Sequence, residues 1–105
     1  MAHPMHESVV SVVQTAITIM DRLLRDRIDL KEYADNLRTL DVDSLMETYQ
    51  DDFKREAGLV YYLDALMLLS SLQHELEFQV AEYGSNVALE DMRYLEELLK
   101  KFPRC

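Results

Sequence analysis

The chain has 105 residues, of which 49% are hydrophobic and 30% are charged, the balance of one soluble globular domain. Its 20 acidic residues outnumber 11 basic ones, and the net charge of −9 argues against binding nucleic acids or anionic membranes, whose phosphates would repel it. The longest apolar stretch, around residues 59 to 69, is too short to span a bilayer, which needs about 20 residues.

Glycine and proline are scarce. Pro4 and Pro103 lie near the ends of the sequence, and Gly58 and Gly84 are its only glycines. Because β proteins need many tight turns built from such residues, the composition predicts an all-α fold. We expect a four-helix bundle or an irregular helical array with one long central helix. The array should form a single domain over residues 1–105, with residues 1–7 flexible.

The first helix is predicted from about Ser8, a suitable N-cap, to Arg27. Its β-branched content makes a strand at residues 9–13 the competing interpretation, but the length of the pattern favours a helix. The wide apolar face of this helix also suggests a homodimer formed through it. The apolar residues at helical spacing are Val9, Val12, Val13, Ala16, Met20, Leu23 and Leu24, flanked by Val10, Ile17 and Ile19.

Two capping patterns mark the next helices. Asp29 followed by Glu32 resembles a capping box and predicts a short helix that ends near Leu40. Ser44 followed by Glu47 is a complete S-x-x-E box and predicts the start of the long central helix.

The central helix should extend from Ser44 through Gly58 to Tyr83, because no cap signal surrounds the glycine. A break or kink near Gly58 is the alternative, since glycine in a helix interior costs about 1 kcal/mol. Gly84 should then stop this helix, and Ser85 or Asn86 should cap a last one. The predicted core positions of the last helix are Ala88, Met92, Leu95, Leu99 and Phe102.

Two polar residues within the central helix are candidates for a functional site. Asp64 shares a helix side with Tyr61 and Ser71, so we interpret it as the solvated edge of the helix rather than as a site. His74 lacks the Glu-x-x-His or His-Glu-x-x-His spacing of helical metal sites, so no metal site and no cofactor are predicted. A small metal-dependent enzyme using His74, Glu75 or Glu77 is the least favoured alternative.

The clearest functional signal is a run of acidic residues between Thr39 and Phe53 that contains no base. Such a surface would attract a cationic protein partner, and tyrosine is enriched at protein interfaces. A solvated face is the plain alternative. The residues that we predict to bind a partner with a basic surface are Asp41, Asp43, Glu47, Tyr49, Asp51 and Asp52.

The sequence offers no phosphate-binding glycine loop and no Ser/His/Asp or Cys/His constellation, so no enzymatic activity is predicted. Its single cysteine, Cys105, builds no disulfide framework, and residues 1–20 lack the pattern of a secretory signal. Both features predict a cytoplasmic location.

Two further segments are "RIDLKEY" at residues 27–33, which follows the first helix, and "YLEELLKKF" at residues 94–102. In this order they resemble small acidic immunity proteins of the colicin D type. The resemblance implies a four-helix bundle that blocks a nuclease toxin by presenting carboxylates to its basic tRNA-binding cleft. The long hydrophobic stretch at residues 57–83 departs from that pattern.

The sequence therefore predicts a non-catalytic, acidic, helical protein-binding module, and an inhibitor or immunity protein is its most concrete form. A structural homo-oligomer without a separate ligand is the principal alternative.

Overall fold

The computed structural model describes residues 4–83 and 86–102, and the side chains of residues 4–74 and 88–102 among them. Within these ranges the chain is helical and contains no strand, so the predicted all-α array is confirmed. A 3₁₀ turn (Ala57–Leu59) precedes the longest helix. The helices are α1 (His6–Leu24), α2 (Leu30–Arg38), α3 (Val42–Thr48), α4 (Gln50–Arg55), α5 (Val60–Tyr83) and α6 (Asn86–Lys101).

Helix α1 begins earlier than its capping pattern predicts. It starts at His6, so Ser8 lies inside the helix and is not its N-cap. Met5, just before the helix, is fully buried. Met5 thus packs in the core, and the flexibility of residues 1–7 stays a prediction.

The end of α1 is also earlier than predicted, at Leu24. Asp26 adopts a left-handed backbone conformation with φ 57°, the conformation that glycine usually supplies after a helix. Its N–H donates to the carbonyl of Leu23 at 3.1 Å, and the N–H of Arg27 donates to the carbonyl of Arg22 at 2.9 Å. These two bonds form a Schellman motif, which terminates the helix without a glycine.

Helix α2 confirms the prediction at its N-terminus. The carboxylate of Asp29 accepts a hydrogen bond from the backbone N–H of Glu32 at 2.8 Å, as an N-cap does. At its other end, the side-chain amide of Gln73 on α5 donates to the carbonyls of Leu37 and Leu40 at 2.7 and 2.9 Å. Gln73 thus ties the C-terminal end of α2 and the turn that follows it to α5.

The predicted continuous helix through Gly58 is wrong, and the alternative of a break is correct. Helix α3 begins at Val42, so Ser44 is not its cap, and the chain turns at Tyr49 before α4. Glu56 has an extended backbone, with φ −120° and ψ 104°, which interrupts the helical hydrogen bonds ahead of the 3₁₀ turn.

One hydrophobic core joins the helices. Helix α1 packs against α6, α5 packs against α6, and α2 and α3 both cover α5. Tyr33 and Tyr62 are the largest side chains that are fully buried in it. Most of the apolar face of α1 is used inside this core, where its buried residues are Val9, Val13, Ala16, Ile19, Met20 and Leu23.

Helix α6 follows the predicted pattern of core positions. Ala88, Leu95 and Phe102 are buried, whereas Met92 and Leu99 are half-buried. The predicted stop at Gly84 and the cap candidate Ser85 lie outside the described residues. Across the described part of the chain, no helix has both the length and the apolar character needed to cross a membrane.

Candidate partner-binding surface

The residues predicted to bind a partner lie on the short helices α3 and α4 or directly beside them. Asp43 and Glu47 lie in α3, Asp51 and Asp52 lie in α4, and Asp41 immediately precedes α3. All of these carboxylates are exposed except that of Asp52, which is half-buried. Tyr49, at the junction of α3 and α4, is half-buried and packs against the core. The set therefore forms an acidic surface centred on α3.

A groove lies between α3–α4 and α5, and Asp43 and Glu47 of the acidic surface are among its lining residues. Its volume is about 440 Å³, within the range of sites that bind ligands. Apolar, acidic, basic and neutral polar side chains all contribute to it. The lining residues are Asp43, Met46, Glu47, Gln50, Phe53, Lys54, Leu63 and Ser70.

The groove combines an apolar base with an acidic edge. Met46, Phe53 and Leu63 are half-buried and provide the apolar surface. Asp43 and Glu47 are separated by one turn of α3 and therefore project from the same side of that helix. The site thus offers two carboxylates beside exposed hydrophobic area, an arrangement that suits an amphipathic ligand.

A hydrogen bond fixes the acidic edge relative to α5. The hydroxyl of Ser70 donates to Oδ1 of Asp43 at 3.0 Å, and this contact joins residues 27 positions apart. The bond leaves the second carboxylate oxygen of Asp43 available, because a carboxylate accepts several hydrogen bonds.

Most of the acids on this surface are not neutralised by neighbouring bases. Within the described part of the chain, Asp41, Asp43, Glu47 and Asp51 form no salt bridge. Asp52 differs from them, because its Oδ1 lies 3.4 Å from Nη2 of Arg55. Lys54 is the one cation among the residues that line the groove. The α3 edge therefore carries negative charge that a partner can neutralise.

Helix α5 adds apolar residues that face solvent beside the groove. Val60 is 47% exposed and Met67 is 52% exposed, so both present apolar surface to solvent. Spacings of three, four and three residues place Val60, Leu63, Met67 and Ser70 in one row along α5. Asp64 lies beside this row and is half-buried.

The structure describes the side chain of one of the candidate metal ligands, His74. Among the residues that it describes, no group of three His, Cys, Asp or Glu side chains lies close enough to hold a metal ion. His74 is exposed on α5, and the side chains of Glu75 and Glu77 lie outside the described residues.

Two polar features of the core have no signal in the local sequence. Nδ1 of His6 lies 2.6 Å from the hydroxyl of Tyr62, whose ring packs against Phe102 with centroids 4.6 Å apart. His6 and Tyr62 are 56 positions apart, so no local pattern signals the contact. The hydrogen bond between His6 and Tyr62 therefore ties the N-terminal turn of α1 to the core rather than to the groove.

The second feature is Tyr33, whose hydroxyl is buried and has no hydrogen-bond partner within the described part of the chain. Burial, and then the charge of Asp91, raise the pKa of this hydroxyl. Burial and the neighbouring Glu90 also raise the pKa of the Asp91 carboxyl. Both raised pKa values result mainly from the burial of a polar group, and neither Tyr33 nor Asp91 lines the groove.

Comparison of the chain with models of protein families, with curated proteins and with solved structures finds no match.

Proposed function

We propose that this protein is a non-catalytic binding module that holds a protein partner with a basic surface through α3, α4 and the adjoining groove. The observation that carries the proposal is that two exposed carboxylates, those of Asp43 and Glu47, border an apolar groove and form no salt bridge with any described residue. Charge complementarity steers a cationic partner to this face, and the apolar base supplies contact area once the partner is docked.

Its concrete form would be an inhibitor. An acidic protein that covers a cationic cleft prevents nucleic acid from entering it, because both compete for the same positive charges. The resemblance of residues 27–33 and 94–102 to immunity proteins of the colicin D type supports this form. In this interpretation the acidic face mimics the charge of a nucleic-acid backbone.

A comparison of two equally charged variants tests the proposal. One variant carries Asp43→Asn and Glu47→Gln at the groove. The control carries Glu7→Gln and Glu96→Gln, which neutralise two exposed acids on α1 and α6. Each is immobilised and exposed to an extract of the cells that make the protein, and the retained proteins are identified by mass spectrometry.

We expect the native protein and the control to retain the same basic-surfaced protein and the groove variant to lose it. Raising the salt concentration should weaken retention, because exposed charges are screened over about 10 Å at 0.1 M salt. A partner retained equally by all three proteins, or one with a neutral surface, would contradict the proposal. If the partner is a nuclease, its activity with and without the protein tests the inhibitor form.

A further inference from the structure

We infer that the groove between α3–α4 and α5 receives an amphipathic helix of the partner, which lays apolar side chains on α5 and cationic side chains over Asp43 and Glu47. This inference rests on the proposed function, since it states which part of a basic-surfaced partner enters the site and how it is oriented.

The spacing along α5 indicates a helical occupant. Val60, Leu63, Met67 and Ser70 follow the three-and-four alternation of a helix seam, the pattern against which another helix packs its own side chains. Val60 and Met67 remain about half exposed. Val60 extends the row beyond the groove at one end, and Met67 lies between the lining residues Leu63 and Ser70. A straight row of this kind matches a partner helix better than a loop.

The charges around the groove indicate the polarity of that helix. Asp43 and Glu47 form a line of two carboxylates one turn apart, which pairs with lysine or arginine residues that are also one turn apart. Lys54 lies among the lining residues contributed by α4 and would form an ion pair with an acidic residue of the partner. The partner helix should therefore have an apolar stripe flanked by cations on the side that meets α3.

Three synthetic peptides of 18 residues serve as probes in this experiment. The first has leucine at seam spacing and lysine at the flanking positions. The second keeps the leucines and replaces each lysine by glutamate, and the third keeps the lysines and replaces each leucine by glutamine. Binding of each labelled peptide to the full chain is measured by fluorescence anisotropy, and the contacted residues are mapped by NMR chemical-shift changes.

Ser70→Leu blocks the groove with a side chain that helices favour and removes the hydroxyl bonded to Asp43. Ser71→Leu is its matched control, because Ser71 is exposed and does not line the groove. Met67→Gln is a second variant that changes only an exposed position. Circular dichroism verifies that each variant is folded.

We expect the leucine–lysine peptide to bind best and to shift the signals of residues along the groove. Ser70→Leu and Met67→Gln should weaken its binding at least about tenfold, whereas Ser71→Leu should leave it within about twofold. Equal binding of the leucine–lysine and glutamine–lysine peptides, with no effect of Ser70→Leu, would overturn the helix inference while leaving the acidic binding face intact.

Failure of both lysine-containing peptides to bind would count against the proposed function itself, because the acidic face would then not attract cations. Equal binding of the leucine–glutamate peptide would overturn the inferred polarity. Light scattering addresses a different occupant: a dimer of the free protein that Ser70→Leu dissociates would place a second copy in the groove and overturn the inference.

Discussion

At the scale of single residues, two buried tyrosines differ in how their hydroxyls are satisfied. Tyr62 pairs with His6, whereas the hydroxyl of Tyr33 lacks a hydrogen-bond partner among the described residues. A buried polar group without a partner carries a desolvation cost, and a bonded one contributes net stability. The same chemical change, loss of one hydroxyl, should therefore act in opposite directions at the two positions.

Tyr33→Phe should raise the free energy of unfolding by about 1 kcal/mol, because it removes the uncompensated hydroxyl. Tyr62→Phe should lower it by about 0.5–1.5 kcal/mol, because His6 loses its partner. Urea denaturation followed by circular dichroism measures both values. A loss of stability in Tyr33→Phe as large as that in Tyr62→Phe would show that the Tyr33 hydroxyl is satisfied after all.

The Asp91 carboxyl should make stability depend on pH. Burial raises its pKa in the folded protein above the ordinary value near 4, so folding disfavours the charged form. The folded state then binds more protons than the unfolded state between these two pKa values, and stability falls as pH rises through that window.

Asp91→Asn should accordingly be more stable than the native protein at neutral pH, since the amide carries no charge. The difference should shrink as the pH falls from neutral through the raised pKa of the Asp91 carboxyl, because that carboxyl then becomes protonated in the folded protein. Thermal unfolding over this pH range tests the prediction, with the exposed Glu96→Gln as the control. A difference that is constant with pH would rule out titration of Asp91 as its cause.

At the scale of helices, the sequence locates elements better than it locates their ends. Hydrophobic spacing predicted helices that the structure contains, and the Asp29 cap is present. The Ser44–Glu47 pattern was misleading because S-x-x-E also occurs inside a helix. The stop at Asp26 was missed because aspartate, rather than glycine, adopts the left-handed conformation.

The break before α5 has no local signal that reasoning from the sequence could use. Gly58 itself is not forced by geometry, since a Cβ at this position would meet nothing within 4 Å. The extended Glu56 instead lets α3 and α4 turn back, so that Leu45 and Phe53 pack against the core. The acids of the candidate site were identifiable from their clustering, whereas the groove depends on tertiary packing that periodicity does not encode.

A pair of capping substitutions tests this difference between Asp29 and Ser44. Asp29→Ala should lower the free energy of unfolding by about 1 kcal/mol, because the backbone N–H of Glu32 loses its acceptor. Ser44→Ala should cost less than about 0.5 kcal/mol, since Ser44 lies within α3 and does not cap it. Both positions are exposed, so urea denaturation compares them directly. Equal losses would mean that the sequence pattern at Ser44 stabilises the helix after all.

At the scale of the whole molecule, segments from opposite ends of the chain close one core. Met5 is fully buried, His6 contacts Tyr62 of α5, and the ring of Phe102, just after α6, packs on the same tyrosine. A continuous core that joins the first and last helices should unfold in a single cooperative step. Loss of the N-terminal contact should therefore destabilise the entire protein rather than loosen one end.

Met5→Ala should lower the global free energy of unfolding by about 2–5 kcal/mol, the usual cost of emptying a buried methionine site. Met67→Ala is the matched control, because Met67 is 52% exposed and leaves no internal cavity, so its cost should stay below about 1 kcal/mol. Circular dichroism and tyrosine fluorescence should give coincident transitions in both variants. A small effect of Met5→Ala, or separate transitions for the two signals, would show that the N-terminal segment is energetically independent of the helical core.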